Sequence, residues 1–175
     1  MPGTKILIKG NHDYWWNSLA KIKPILPPTC HLIQNNSIHW KKISVAGTRL
    51  WDVPGIHFDA LFDGPERKSV DAAIQLENEK LFERELGRLE VSLKAMSPTA
   101  ELRIAMVHYP PIGLEGEETA VSRLLEKYKV DICLFGHLHN VKSEGPLFGH
   151  YRGIHYYLTA CDYLDFRPKQ ITTHF

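Results

Sequence analysis

The sequence predicts an α/β layered fold with some antiparallel hairpins, and three observations carry that prediction. Short apolar runs rich in β-branched residues recur along the chain and stop abruptly at glycine or histidine. Other segments place apolar residues at helical spacing with charged residues opposite. In the later half the two kinds alternate as strand, helix, strand, the order that builds layered α/β sheets.

Lys5 to Lys9 is the first strand, ended by Gly10. It is apolar on successive residues, the pattern of a strand covered on both faces in a parallel sheet. A helix is expected around Asn17 to Ile25, stopped by Pro27-Pro28. From His31 to Gly47 the sequence reads as two or three short strands, with turns at Asn35-Asn36 and Lys41-Lys42. Thr48 to Pro65 is irregular and rich in large side chains, and its stretch from Trp51 to Phe62 is a candidate lid, since loops carry specificity. The clearest helix runs from roughly Ser69 to Met96, where Ile74, Phe82, Leu86, Leu89, Leu93 and Met96 form one apolar stripe, a core face. Leu102 to Val107 is a strand ending at His108. Thr119 to Tyr128 is a second amphipathic helix, Val130 to Phe135 a buried strand ending at Gly136, and Ile154 to Thr159 a late strand before an irregular tail.

With 175 residues the chain is long enough for one domain with a real core, taken as residues 1–175. The net charge is +1, with bases scattered among acids, and nothing in the sequence looks like the basic stripe of a nucleic-acid binder. No apolar run approaches the ~20 residues that cross a bilayer, and the N-terminus resembles no signal peptide. Cys30, Cys133 and Cys161 are odd in number and lack CxxC spacing, so neither a disulfide framework nor a cysteine zinc site is expected. The expected location is the reducing cytoplasm. Oligomeric state is not legible.

Three motifs follow strand ends: Gly10-Asn11-His12-Asp13, His108-Tyr109-Pro110-Pro111 and Gly136-His137-Leu138-His139-Asn140. In open α/β sheets the ligand crevice lies outside the carboxyl ends of the strands. If the three strands are parallel neighbours, Asn11, His12, Asp13, His108, His137 and His139 meet there as an imidazole-rich cluster suited to divalent transition metals. In extended chain His137 and His139 point the same way, with Cα atoms about 6.6 Å apart, and two such imidazoles suit two metals about 3.5–4 Å apart. Gly136 is expected to take the sharp turn. The Asn11 amide oxygen suits a hard metal, His12 is left for proton transfer, and Asp13 is placed to orient its ring.

These blocks resemble the last three signature blocks of the calcineurin-like metallophosphoesterases, over Lys5 to roughly Asn140. The resemblance implies a layered β-sandwich flanked by helices that holds two divalent metals, manganese, iron or zinc. It implies hydrolysis of a phosphate mono- or diester by in-line attack of a metal-bridged hydroxide. Carried over, Asn11, His108 and His137 bind the second metal and His139 the first, while His12, with Asp13, protonates the leaving oxygen or steadies the transferring phosphoryl group. The implied partner is a phosphorylated small molecule or other phosphoester.

The family pattern also opens with Asp-x-His and Gly-Asp-x-x-Asp blocks, expected before Gly10, where this sequence has nine residues. On that comparison the chain is expected to be N-terminally incomplete and short of ligands for full activity. The rival expectation is a non-catalytic remnant or binding module of the same fold. Nothing in the spacing of Asp52, Asp59, Asp162 or Asp165 marks them as substitute ligands, and they are read as surface or turn aspartates. Trp15 and Trp16 are read as packing residues. His31, His39, His57, His150, His155 and His174 have no partner spacing and are assigned surface or core roles.

Overall fold

The computed structural model describes residues 2–63, 71–143 and 145–171. Its strands are β1 (Lys5–Ile8), β2 (Cys30–Ile33), β3 (Ser37–Trp40), β4 (Ile43–Thr48), β5 (Leu102–Val107), β6 (Ile132–Phe135), β7 (His150–Tyr151) and β8 (Ile154–Leu158). Its helices are α1 (Leu19–Ile22), α2 (Ala72–Lys94) and α3 (Ala120–Lys127). Six strands form one sheet in the order β3-β4-β5-β6-β8-β7, parallel from β4 to β8 and antiparallel at both edges. The mixed α/β class with helices flanking the sheet is the one the sequence predicts.

Two cores explain why the central strands are apolar on successive residues. Side chains alternate across a strand with period two. Val45, Ile104 and Ile132 therefore face one core, where they meet Ile33 of β2 and Ile6 of β1. Ala46, Ala105 and Cys133, one residue on, face the other, with Phe82, Leu89 and Leu93 of α2 and Val121 and Leu125 of α3. Both faces are covered, so apolar residues can occupy successive positions.

The topology differs from expectation at β1. β1 is not a neighbour of β5 and β6; it pairs in parallel with β2 in a separate two-stranded sheet. Its side chains are half-buried, because that small sheet packs across the large one. Hydropathy shows that a strand is covered but not by which layer.

Local signals place most boundaries. Left-handed Asn35 and Lys41 make the two expected turns that separate β2, β3 and β4. α3 begins with a capping box: the Thr119 hydroxyl accepts from Ser122 N–H and the Ser122 hydroxyl accepts from Thr119 N–H. The helix expected from Asn17 is one α turn plus a 3-10 turn over Lys23–Ile25, because Pro24 cannot continue the backbone ladder. α2 starts at an Asp71 cap that accepts from Ala73 N–H; the expected start at Ser69 lies outside the described residues.

The buried stripe of α2 starts at Phe82, and Ile74 is 53% exposed. A 23-residue helix spans about 35 Å, whereas a six-residue strand spans about 20 Å, so its first turns overhang the sheet. Two polar residues interrupt the stripe. Ser92 accepts from Gly47 N–H and donates to the Asn36 carbonyl, and Glu85 accepts from the Thr48 hydroxyl. No described helix is long and apolar enough to cross a membrane.

Candidate metal centre

The parallel strands end at one level. Thr48 is registered with Val107, Met106 with Leu134, and Phe135 with Leu158. The residues that follow, Arg49, His108, Gly136 and Thr159, therefore line one rim. Backbone bonds tie it together: His108 N–H donates to the Arg49 carbonyl at 3.0 Å, and Gly136 N–H to the His108 carbonyl at 3.1 Å.

At this rim His108 is the hub. Its Nε2 lies 2.8 Å from Asn11 Oδ1 and 3.2 Å from His137 Nδ1, so loops from β1, β5 and β6 converge although β1 belongs to another sheet. Asn11 Oδ1 only accepts, and one imidazole proton cannot be aimed at both neighbours. Donor atoms about 2.0–2.2 Å from one ion lie about 3 Å apart when at right angles. The two spacings about His108 Nε2 and the donor chemistry of Asn11, His108 and His137 are those a divalent cation needs.

The two imidazoles are supported by Tyr109, which is buried. Its ring lies 4.2 Å from that of His137 and 5.2 Å from that of His108. Burial, then the nearby Asp52 carboxylate, pushes its phenol up to about 12, so it stays neutral. Sequence reasoning assigned Tyr109 nothing; its place directly after His108 was the only signal.

The backbone around the His-x-His pair departs from expectation. His137, not Gly136, takes the left-handed conformation, with φ of 69°, and Leu138 N–H closes back on the Gly136 carbonyl at 2.8 Å. The segment is not extended, so the two rings part. His137 turns to His108, while exposed His139 places Nδ1 2.7 Å from Asp162 Oδ1. A non-glycine residue held at positive φ costs of order 1–3 kcal/mol, a strain that concentrates at functional sites.

From sequence alone Asp162 is a surface or turn aspartate. It instead joins the loop after β8 to the loop after β6, also accepting from Asn140 N–H at 2.6 Å. Burial opposes its ionisation, but the Asn140 amide and the His139 ring outweigh that and hold its carboxyl below the usual range. His139, Cys161 and Asp162 bring ligand atoms within 4.8 Å of one another, a second set with metal-ligating chemistry. Asp162 lies 23 positions beyond His139, so no local spacing reveals the contact.

The pairing of His12 with Asp13 is also corrected. Asp13 accepts from Gly10 N–H at 2.7 Å and from the Trp15 indole at 2.9 Å, so both its oxygens serve the turn that presents Asn11. His12 is exposed, with Nδ1 3.4 Å from the Tyr14 hydroxyl. Of the two tryptophans, Trp16 is core and Trp15 is half-exposed. Leu61 is buried in the stretch read as a lid, with Trp51, Phe58 and Phe62 packed on the main core; Trp51 also reaches Tyr109 at 5.4 Å. His31, His39, His57, His150 and His155 are all exposed; His174 lies outside the described residues.

Two glycines flank His108 differently. A Cβ at Gly10 would meet the His108 ring at 3.2 Å and Asp13 Oδ2 at 3.3 Å, whereas one at Gly136 would stand 3.9 Å from the ring. Gly10→Ala is expected to displace the imidazole and weaken manganese binding about tenfold, the scale of losing an outer-shell support. Gly136→Ala should stay within about twofold. Calorimetric titration of both variants is the check, and equal affinities would show that Gly10 does not set the ring position.

Burial, then the neighbouring His137, pushes the His108 imidazole down to about 4, against the pull of Asp13. An unfolded imidazole titrates near 6.5. Between these values the unfolded chain binds the extra proton, so stability falls as pH falls through that window. For this part-buried ring the loss from pH 7 to pH 5 is about 1 kcal/mol once solvent screening is allowed for. Denaturant unfolding of chelator-treated protein at the two pH values should show it, and His108→Gln should remove it.

A family model described as calcineurin-like phosphoesterase matches residues 2–141. No curated protein and no solved structure matches the chain.

Proposed function

The chain belongs to the calcineurin-like phosphoesterases, and from that membership we propose that it is a metal-dependent phosphohydrolase acting on a phosphate mono- or diester. The observation that carries the reading is that His108 Nε2 lies 2.8 Å from Asn11 Oδ1 and 3.2 Å from His137 Nδ1 at the strand ends. The family typically uses divalent metals; manganese, iron or zinc suits this imidazole and oxygen set. When bound, the metal supplies Lewis acidity toward a phosphoryl oxygen and activates water.

The chain's own residues then have distinct tasks. Asn11, His108 and His137 would hold the ion. Tyr109 fixes the tilt of both rings, and Asp13 fixes the Gly10 turn that aims Asn11. His12, exposed beside Asn11, delivers a proton to the leaving oxygen. His139, with Asp162 and Cys161, offers the second ligand set. The substrate is a phosphorylated small molecule or other phosphoester, and the setting is the cytoplasm, consistent with free Cys30, Cys133 and Cys161.

Elemental analysis after dialysis against manganese tests the reading, with one ion per chain expected at the Asn11–His108–His137 set. Hydrolysis of an aryl phosphate or diester is expected to be weak and manganese-dependent. A rate unaffected by His137→Ala would assign the activity to a contaminant. Full-occupancy metal uptake without any hydrolysis would favour the binding-module reading of the same fold.

A further inference from the structure

We propose that the cavity bounded by Lys9, Thr48, Arg49, Arg84, Glu85 and Arg88 binds a phosphate-type dianion. Through it, the substrate of the proposed hydrolase carries an anionic group besides the one cleaved; this second clause rests on the functional reading above, and the first does not.

The cavity, about 260 Å³, lies at the carboxyl ends of β1 and β4. It adjoins the histidine cluster on two sides. Lys9 directly precedes Gly10-Asn11, and the Arg49 carbonyl accepts from His108 N–H. Drug-sized sites run to ~300–1,000 Å³, so this space suits one compact group.

Its charge is lopsided. Three guanidiniums converge on the single carboxylate of Glu85, which is 2% exposed: Arg88 Nη1 at 2.5 Å, Arg49 Nη2 at 3.7 Å and Arg84 Nη2 at 3.8 Å. Thr48 occupies the other carboxylate oxygen at 3.0 Å. Each guanidinium carries about five N–H donors, far more than one carboxylate takes up. Lys9 adds a fourth cation, and Glu85 is the sole acid among the described residues that line the space. Arg84 and Arg88, at i and i+4, would repel each other on an ordinary helix face. Here they share Glu85.

Two of the four cations are also held in place before any ligand arrives. Arg49 stacks over the Trp51 ring at 4.7 Å, and Lys9 donates to the Trp16 carbonyl at 2.6 Å. Guanidinium forks gathered around a small polar space are the chemistry that recognises phosphate.

Inorganic phosphate titrated into chelator-treated protein, followed by calorimetry and amide shifts, is the experiment. Wild type is expected to bind one phosphate, with shifts at Arg84 and Arg88. Arg84→Gln, which leaves the Arg88–Glu85 bond in place, should weaken binding at least fivefold with an unchanged melting temperature, and Arg84→Lys should recover part of the loss. His137→Ala should bind phosphate as wild type does. Binding that survives Arg84→Gln and disappears in His137→Ala would place the anion at the histidines and overturn the proposal. Absence of binding in wild type would overturn it as well. For the substrate clause, manganese-loaded protein should prefer an alkyl bisphosphate over the monophosphate, and Arg84→Gln should erase that preference. An unchanged preference refutes the clause, whereas a failure of the hydrolase reading would leave phosphate binding to the chelated protein intact.

Discussion

His108→Ala is expected to lower manganese affinity by at least about a hundredfold and to remove manganese-dependent hydrolysis with it. The magnitude follows from position. Substituting an outer-shell partner of a metal site typically costs 10–100-fold, and His108 is the atom through which the other two donors meet. Its Nε2 contacts both Asn11 Oδ1 and His137 Nδ1, and its backbone N–H and carbonyl tie the loops after β4 and β6 to the same rim. The backbone ties survive in the alanine variant, so the fold should persist while the donor set loses its centre. Metal analysis and calorimetry on wild type, His108→Ala and His57→Ala provide the comparison. His57 is exposed outside the cluster and should behave as wild type. Equal losses in the two variants would show that uptake is nonspecific.

Gly47→Ala should prevent the large sheet from forming. A Cβ there would stand 1.9 Å from the Met106 carbonyl oxygen and 2.8 Å from its carbon, both backbone atoms of the neighbouring strand. Neither swings aside as a side chain would, so the β4–β5 ladder from Ile43↔Leu102 to Thr48↔Val107 must separate. The same residue donates its N–H to Ser92, which bridges onward to Asn36. Losses beyond about 4 kcal/mol are exceptional for one substitution, yet they take up much of the ~5–15 kcal/mol that holds a domain together. Circular dichroism should report loss of the cooperative transition. Gly87→Ala is the control. That glycine is in α2 with nothing within 4 Å of an added Cβ, so alanine there should stabilise by about 0.5–1 kcal/mol.

Much of this molecule was legible in the sequence. The apolar runs located β1, β5, β6 and β8 to within about two residues, Asn35 and Lys41 marked the turns between β2, β3 and β4, and Thr119 marked the start of α3. The strand-end positions of Asn11, His108 and His137 pointed to one rim. These signals are local: side-chain period, turn chemistry and capping act over a few residues, and the chain spells them out in order. Tertiary structure decided the rest. It placed β1 in a separate sheet, gave the turn to His137, engaged Asp13 with Gly10 and Trp15, and brought Asp162 to His139 and three arginines to buried Glu85. Each depends on residues distant in the chain or on the path of a loop, where the energy comes from hydrogen bonds and charge pairing among groups the backbone has already assembled. Hydrophobic periodicity shows that a residue is covered, and only packing determines what covers it.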